Sequence, residues 1–305
     1  MLLYMDIKVS YMNIRSVNNK SESIAEQIID EDIDICVLTE TWLRPGDKDQ
    51  ISRGNLTPEG YKLFDVPRPS KRGGGVAIVC KSNLKPTKQP TEVYEMFEHM
   101  EVLISTNSDC VRLCVLYRPP SGSVKNFLDE FSSYIDQHSS TTGRLLILGD
   151  FNFHLRNIQD RSACSFRDLL FSLNLDQHVQ EATHDHNHTL DLVITKAENN
   201  IVNSLCVRLK SLSDHYNITF NIPWKKPLPE HKTVKVRKLN ELNMDELSRD
   251  IEKSDLLLNP PTDLDELVAC YNDTLSKILN QHAPVQDSAS TPCSMVYREY
   301  QEHEA

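Results

Sequence analysis

Up to about residue 223, short apolar runs alternate with segments whose apolar residues recur every three or four positions. Runs at 7–12, 33–38, 76–80, 102–104, 111–117, 145–148, 190–194 and 218–222 are rich in Val, Ile and Leu and have strand length. Between them, 21–29, 124–138 and 166–173 show helical spacing, and Ser123 stands where an N-cap would. Many strands with few interspersed helices predict an α/β fold, two packed sheets flanked by helices.

The pattern changes after Pro223. Residues 224–238, rich in Pro and Lys, read as a linker. Pro260-Pro261-Thr262 then opens an amphipathic helix, expected over about 262–282, with Leu264, Leu267, Val268, Tyr271, Leu275, Ile278 and Leu279 on one stripe. Asp263, Asp265 and Glu266 fall in its first turn, where the helix dipole favours acids. Such a stripe must be buried on the main domain, on a protein partner or on further polypeptide. The last dozen residues read as disordered. The expected organisation is therefore a domain over 1–223 and, over 224–305, a linker plus a short C-terminal helical extension.

Composition narrows this picture modestly. No apolar run approaches the roughly 20 residues that span a bilayer. Met1-Leu2-Leu3-Tyr4-Met5 is too short for a signal peptide, so an intracellular protein without membrane attachment is expected. None of the eight cysteines has C-x-x-C spacing. Cys36, Cys80, Cys114 and Cys206 lie in apolar, β-branched runs, which favours buried core thiols over disulfides or zinc. A net charge of −11 argues against coating nucleic acid by bulk electrostatics. It leaves open an enzyme that meets nucleic acid through a metal ion and a few arginines.

Candidate chemistry sits at strand ends. Gly149-Asp150-Phe151-Asn152 follows the 145–148 strand, so a loop at the sheet rim can present both polar side chains. Asp150 can accept a proton from water, and the Asn152 amide can donate to a phosphate oxygen. Taken alone, an Asp–Asn turn after a strand explains the tetrapeptide equally well. In Ser213-Asp214-His215, neighbouring side chains point apart on extended backbone and serve one pocket only if the chain turns. A histidine beside a carboxylate is held charged or in one tautomer, while a satisfied surface histidine is the plainer reading. Glu40 and Asn13 end two further strands and offer hard oxygens suited to Mg²⁺. Asp191 interrupts the apolar run 190–194, so it requires a buried partner, for which a histidine is the natural choice.

In order, Asn13, Glu40, Tyr117, Asp150 with Asn152, Asp191 and Asp214-His215 resemble the endonuclease/exonuclease/phosphatase superfamily. Met12-Asn13-Ile14-Arg15-Ser16, Leu38-Thr39-Glu40-Thr41-Trp42-Leu43, Arg72-Gly73-Gly74-Gly75-Val76-Ala77, Tyr117-Arg118-Pro119-Pro120 and Thr189-Leu190-Asp191-Leu192-Val193-Ile194 resemble its branch in LINE-type (non-LTR) retrotransposons. The resemblance covers residues 5 to about 223 and implies a four-layered α/β sandwich. It further implies a Mg²⁺-dependent DNA endonuclease, with Mn²⁺ as a substitute metal, that leaves a 3′-hydroxyl at the nick. On this resemblance Glu40 is the principal metal ligand, with Asn13 and Asp214 near or in the coordination sphere. Asp150 is the general base on water, and Asn152 and Tyr117 position the phosphate. His215, oriented by Asp191, stabilises transition-state charge. Arg15 and Pro120 stand where repair nucleases of the superfamily carry an acid and an Asn, which weakens an abasic-site reading. No Tyr-x-Asp-Asp polymerase motif follows, so a fragment, a truncated gene copy or a domesticated endonuclease is expected. Activity on chromosomal DNA would require access to the nucleus. A phosphomonoesterase of the same fold, or a silent remnant binding a protein through the C-terminal helix, are the alternatives.

Arg15, Arg44, Arg72, Arg118 and His188 are candidate DNA contacts, and Arg68 and Lys71 join the basic loop residues near the cleft. The alternation His184, His186, His188 offers imidazoles to a zinc ion in principle, but a polar loop beside the site is the reading adopted. Gly73-Gly74-Gly75 lacks the following helix of a phosphate-binding loop and reads as a tight turn into the next strand. Trp42 is expected to pack under its loop.

Overall fold

The computed structural model describes residues 6–69, 73–90, 92–105, 110–138, 143–209, 212–224, 232–237, 239 and 242–290. In chain order, β1 (Ile7–Asn13), α1 (Ser21–Asp30), β2 (Ile35–Thr39), α2 (Gln50–Leu56), β3 (Tyr61–Val66), β4 (Val76–Lys81), β5 (Thr87–Lys88) and β6 (Glu98–Ser105) come first. Then follow β7 (Cys110–Tyr117), α3 (Val124–Gln137), β8 (Arg144–Asp150), α4 (Arg161–Ser172), β9 (Leu175–Gln177), β10 (Asp191–Lys196), β11 (Asn203–Arg208) and β12 (Asn217–Ile222).

These strands form two six-stranded mixed sheets, ordered β11-β12-β1-β2-β4-β3 and β5-β6-β7-β8-β10-β9. Each contains one parallel pair joined through a helix, β1-α1-β2 and β7-α3-β8, with antiparallel neighbours outside. Period-two alternation explains the layering. Leu146 and Leu148 of β8 point between the sheets, while Leu145 and Ile147 face the α3 side. In β2, Ile35 and Val37 face the sheet interface, and Cys36 and Leu38 pack on the α1 side. Phe127, Phe131, Tyr134 and Ile135 form the buried stripe of α3 at helical spacing. The result is the α/β sandwich expected from the sequence, helix layers outside two sheets.

Several boundaries moved for identifiable reasons. Ser123 caps α3 by accepting the Asn126 N–H, as its position suggested. The helix expected from 166 begins at Arg161, because the Asp160 carboxylate caps the Ser162 and Ala163 N–H groups. The run 102–104 lies in the second half of an eight-residue strand whose pattern is broken by His99 and Glu101, both buried. Glu101 is satisfied in place by Arg112 and His138, each at 2.8 Å. Edge strands β3 and β11 lack a fully buried face and left little apolar signal. For the same reason Cys206 on β11 is exposed, correcting the expectation of a core thiol, whereas Cys36, Cys80 and Cys114 are buried.

The chain divides into two compact units, Met1–Leu228 and Pro229–Ala305. In the second, β13 (Lys232–Val236) pairs antiparallel with β14 (Gln286–Ser290), so the Pro- and Lys-rich stretch is not all linker. Between these strands lie α5 (Met244–Glu252), α6 (Asp255–Leu258) and α7 (Leu264–His282). Asp263 caps α7 instead of sitting within its first turn. Along the α7 stripe Ile278 is buried, while Leu264, Val268 and Tyr271 are exposed. The terminal dozen residues read as disordered lie outside the described residues. No helix among the described residues is long and apolar enough to cross a membrane.

Candidate active site

Both parallel pairs end at the same rim. In the first sheet Asn13 pairs with Thr39, and Glu40 follows at once. In the second, Asp150 lies between Tyr117 on one side and Asp191 on the other. The Asn13 amide crosses from one sheet to the other, donating to Asp150 Oδ2 at 2.9 Å and to Glu40 Oε1 at 3.2 Å. Tyr11 makes a second bridge: its hydroxyl donates to Asp191 Oδ1 at 2.9 Å and bonds Thr39 Oγ1 at 2.8 Å.

Backbone strain accompanies these positions. Glu40, Trp42 and Asn152 have φ of 51°, 56° and 52°, conformations that non-glycine residues adopt only under local constraint. The Glu40 loop is held by Thr41 N–H and Trp42 N–H donating to the carbonyls of Gly75 and Gly74. Gly75 has φ +80°, and a Cβ there would meet Thr41 Oγ1 at 2.7 Å, so the glycine run is the tight turn expected. Trp42 packs by this loop and donates to Glu40 Oε2 at 3.1 Å.

Asp150 is buried and accepts from Asn13 Nδ2, from the Asn152 backbone N–H and from Asn152 Nδ2. Burial, then the neighbouring Asp191 carboxylate, hold Asp150 well above the usual carboxylate range, against the opposing pull of His215. His215 Nδ1 lies 2.8 Å from Asp191 Oδ2. Burial by itself would lower this imidazole, but Asp191, Asp150 and Asp214 outweigh it and push it up to about 9. The chain turns at Ser213, whose hydroxyl donates to the Asn13 carbonyl at 2.5 Å, so Asp214 and His215 do serve one pocket. Tyr117 is held above the usual phenol range by burial and then by the Glu40 and Asp150 carboxylates.

Asn13, Glu40, Tyr117, Asp150, Asn152, Asp191, Asp214 and His215 thus gather at one rim. The basic candidates divide differently. Arg118 is 2% exposed; its guanidinium donates to the carbonyls of Phe151, Asn152 and Gly122 and lies 4.3 Å from the Phe153 ring centroid. It braces the Asp150 loop from a buried position, where the sequence suggested a cation open to DNA. Arg44 is engaged bidentately by Asp49, and Arg68 pairs through Nε with Glu98 over the Tyr117 ring. Arg15 pairs with Asp214. His188 is half-buried edge-on to His154, with centroids 4.1 Å apart. Arg72 and Lys71 lie outside the described residues.

Sequence reasoning missed Tyr11, hidden in an ordinary apolar strand, and Thr183, whose hydroxyl accepts the Leu190 and Asp191 N–H groups at 3.0 and 3.1 Å. Phenylalanine-like burial of Tyr11 gave no cue; a hydroxyl opposite the polar Asp191 is visible only once the sheets are stacked.

Mg²⁺ fits the donor set on one observation in particular. Asp214 Oδ1 is buried and has no hydrogen-bond partner among the described residues, an oxygen that desolvation leaves in need of a cation or water. Glu40 adds a second hard carboxylate; the Asn13 amide turns its nitrogen to Glu40 and its oxygen to the Arg15 N–H, so it would ligate an ion only with the amide reversed.

The layered sandwich brings carboxylates from the ends of both parallel pairs to one rim, an arrangement compatible with a hydrolase. The chain belongs to the endonuclease/exonuclease/phosphatase family, whose profile matches residues 11–215. It is 24% identical over 147 residues to the RNA-directed DNA polymerase from mobile element jockey of Drosophila melanogaster, an alignment covering 48% of this chain and 15% of that protein. Among solved structures, the endonuclease domain of TRAS1, a telomere-specific non-LTR retrotransposon, aligns with a TM-score of 0.58 and 16% identity, over 72% of this chain and 98% of that one. The AP endonuclease LMAP from Leishmania major aligns at 0.57 and 16% identity, over 72% and 88%. At these identities the structures establish the fold.

Proposed function

We propose that this protein is a Mg²⁺-dependent DNA endonuclease of the non-LTR retrotransposon type, nicking one strand to leave a 3′-hydroxyl. The observation that carries the reading is the junction of Asn13, Asp150, Asp191 and His215 across the two sheets, a proton-handling pair beside hard metal ligands. Asp150, made more basic by burial, takes a proton from the attacking water, a role worth on the order of 10²–10⁴ in rate. His215, kept charged by Asp191, holds a phosphoryl oxygen as negative charge develops. Asn152 and Tyr117 orient the phosphate, and the braced Asp150 loop keeps them in register. Glu40, Asn13 and Asp214 would hold the ion, which when bound neutralises phosphate charge and polarises the ester.

The jockey and TRAS1 likenesses favour DNA as substrate over a small phosphate ester. Supercoiled plasmid with Mg²⁺ tests the reading. Wild type should nick it, and the nicked ends should prime a DNA polymerase without phosphatase treatment. Asp150→Ala and His215→Ala should abolish nicking, and equal activity in all three proteins would sink the proposal. Hydrolysis of a small phosphate ester without action on plasmid would replace it by the phosphomonoesterase alternative.

A further inference from the structure

The histidine-rich loop 184–188 sits against the active-site turn. His184 and His215 form an isolated antiparallel bridge, supported by Asp185 N–H donating to the Asp214 carbonyl at 3.0 Å and Tyr216 N–H to Thr183 at 2.8 Å. His184 Nδ1 accepts the His186 backbone N–H at 3.1 Å, which leaves Nε2 facing outward. That Nε2 is 3.4 Å from Asp214 Oδ2. His215 has Nδ1 committed to Asp191, so its Nε2 faces the same space, and the two rings lie perpendicular with centroids 4.7 Å apart. One ligand atom from each of His184, Asp214 and His215 lies within 4.8 Å of the others.

We propose that His184, Asp214 and His215 form a binding site for Zn²⁺ or a similar late first-row cation, and that filling it switches the nuclease off. Two imidazole nitrogens and one carboxylate suit zinc, whereas Mg²⁺ takes oxygen ligands. Ligands about 2.0–2.1 Å from a tetrahedral zinc stand roughly 3.3–3.4 Å apart, which the His184–Asp214 edge already matches. The wider edges close by side-chain torsion of His184 and Asp214. Asp191 behind His215 completes a carboxylate–histidine–metal arrangement that fixes the ring and raises its basicity. Asp214 Oδ1, buried without a partner among the described residues, is available as a further ligand or water acceptor. On binding, His215 gives its proton to solvent and Asp214 exchanges Arg15 for the metal.

Metal binding stands on this geometry alone; the inhibitory consequence rests on the nuclease reading. A filled site removes the cationic imidazole that would hold the phosphate and withdraws Asp214 from the Mg²⁺ ligands.

Calorimetric titration of the full chain with ZnCl₂, and visible absorption with Co²⁺, test the binding. Wild type should bind at this site with tetrahedral Co²⁺ bands and no thiolate charge-transfer band. His184→Gln should weaken it at least about tenfold, while His188→Gln, in the neighbouring histidine pair, should leave it unchanged. His184→Gln should keep Mg²⁺-supported nicking, which also reports that it folds, and should raise the Zn²⁺ needed for half-inhibition by the same factor. Equal Zn²⁺ affinity in wild type and His184→Gln, or a thiolate band, overturns the site. Intact binding that leaves nicking unaffected overturns the inhibitory half. A wild type that binds Zn²⁺ but never nicks plasmid refutes the nuclease reading, and calorimetry still decides the site.

Discussion

Asp191 is shared: one carboxylate oxygen holds His215 Nδ1 at 2.8 Å, and the other accepts the Tyr11 hydroxyl at 2.9 Å. It is fully buried, so its charge acts on His215 with little screening. This pairing predicts a pH profile. His215 is charged below about 9 and loses its charge as pH rises through that value. Asp150 must be ionised to act as base, and its pKa is raised, so activity should climb only above the usual carboxylate range. The expected kcat/KM profile is a bell with its alkaline limb near pH 9. Asp191→Asn should move that limb toward about 6.5, the ordinary histidine value, and lower the plateau at least about a hundredfold. An unmoved alkaline limb in Asp191→Asn would assign it to another group.

Tyr11 supports the same junction from the sheet interface. Tyr11→Phe removes one hydroxyl and leaves Asp191 Oδ1 and Thr39 Oγ1 short of a partner in a buried site. An unsatisfied buried polar group costs about 1–3 kcal/mol. Thermal melting should therefore show a Tm lower by roughly 2–12 °C, at 2–4 °C per kcal/mol for a domain of this size. A melting temperature equal to wild type would mean that water or a rearrangement replaces the phenol.

What the sequence made legible follows from where signal is carried. Long strands buried on both faces, such as β8 and β4, announced themselves as continuous apolar runs. Polar residues at the ends of such runs, Asn13, Glu40 and Asp150, and Asp214 just before one, marked the rim because strand ends are where side chains can reach a ligand. Asp191 implied its histidine because a charge in an apolar strand demands a partner. Partnering between distant residues was not legible. Arg118 reads in sequence as a cation near the catalytic loop, and only its burial among the Phe127 and Phe153 rings reveals a structural role. Arg15 and Arg44 similarly meet their acids through turns that no local periodicity encodes.

Gly149 carries a steric prediction. A Cβ at this position would lie 1.9 Å from the Leu116 carbonyl oxygen on the paired strand β7, and the obstacle is backbone that cannot swing aside. Gly149→Ala should part β7 and β8 just before Tyr117 and Asp150. Overpacking of this kind costs about 3 kcal/mol or more where the neighbour is rigid. Urea unfolding should show that loss, whereas Gly60→Ala, with nothing within 4 Å, should show only the smaller strain of its φ of +83°. Comparable losses at both positions would mean that β7 yields to the added methyl and that the Leu116 contact costs no more than the strained turn at Gly60.

Arg118 separates a bracing role from a DNA-binding one. A residue on a DNA phosphate releases counterions, so its loss lowers the slope of log K against log salt by about 1. Arg118 instead donates to the carbonyls of Phe151, Asn152 and Gly122 from a buried position. Arg118→Ala should leave that slope unchanged while lowering kcat and Tm together, because the loop carrying Asp150 and Asn152 loses its support. Arg118→Lys should recover little, since one ammonium cannot span three carbonyls as a planar guanidinium does. DNA affinity measured across a salt series, beside single-turnover nicking, distinguishes the outcomes. A slope reduced by about 1 with an unchanged Tm would return Arg118 to the DNA surface and require the loop to open on binding.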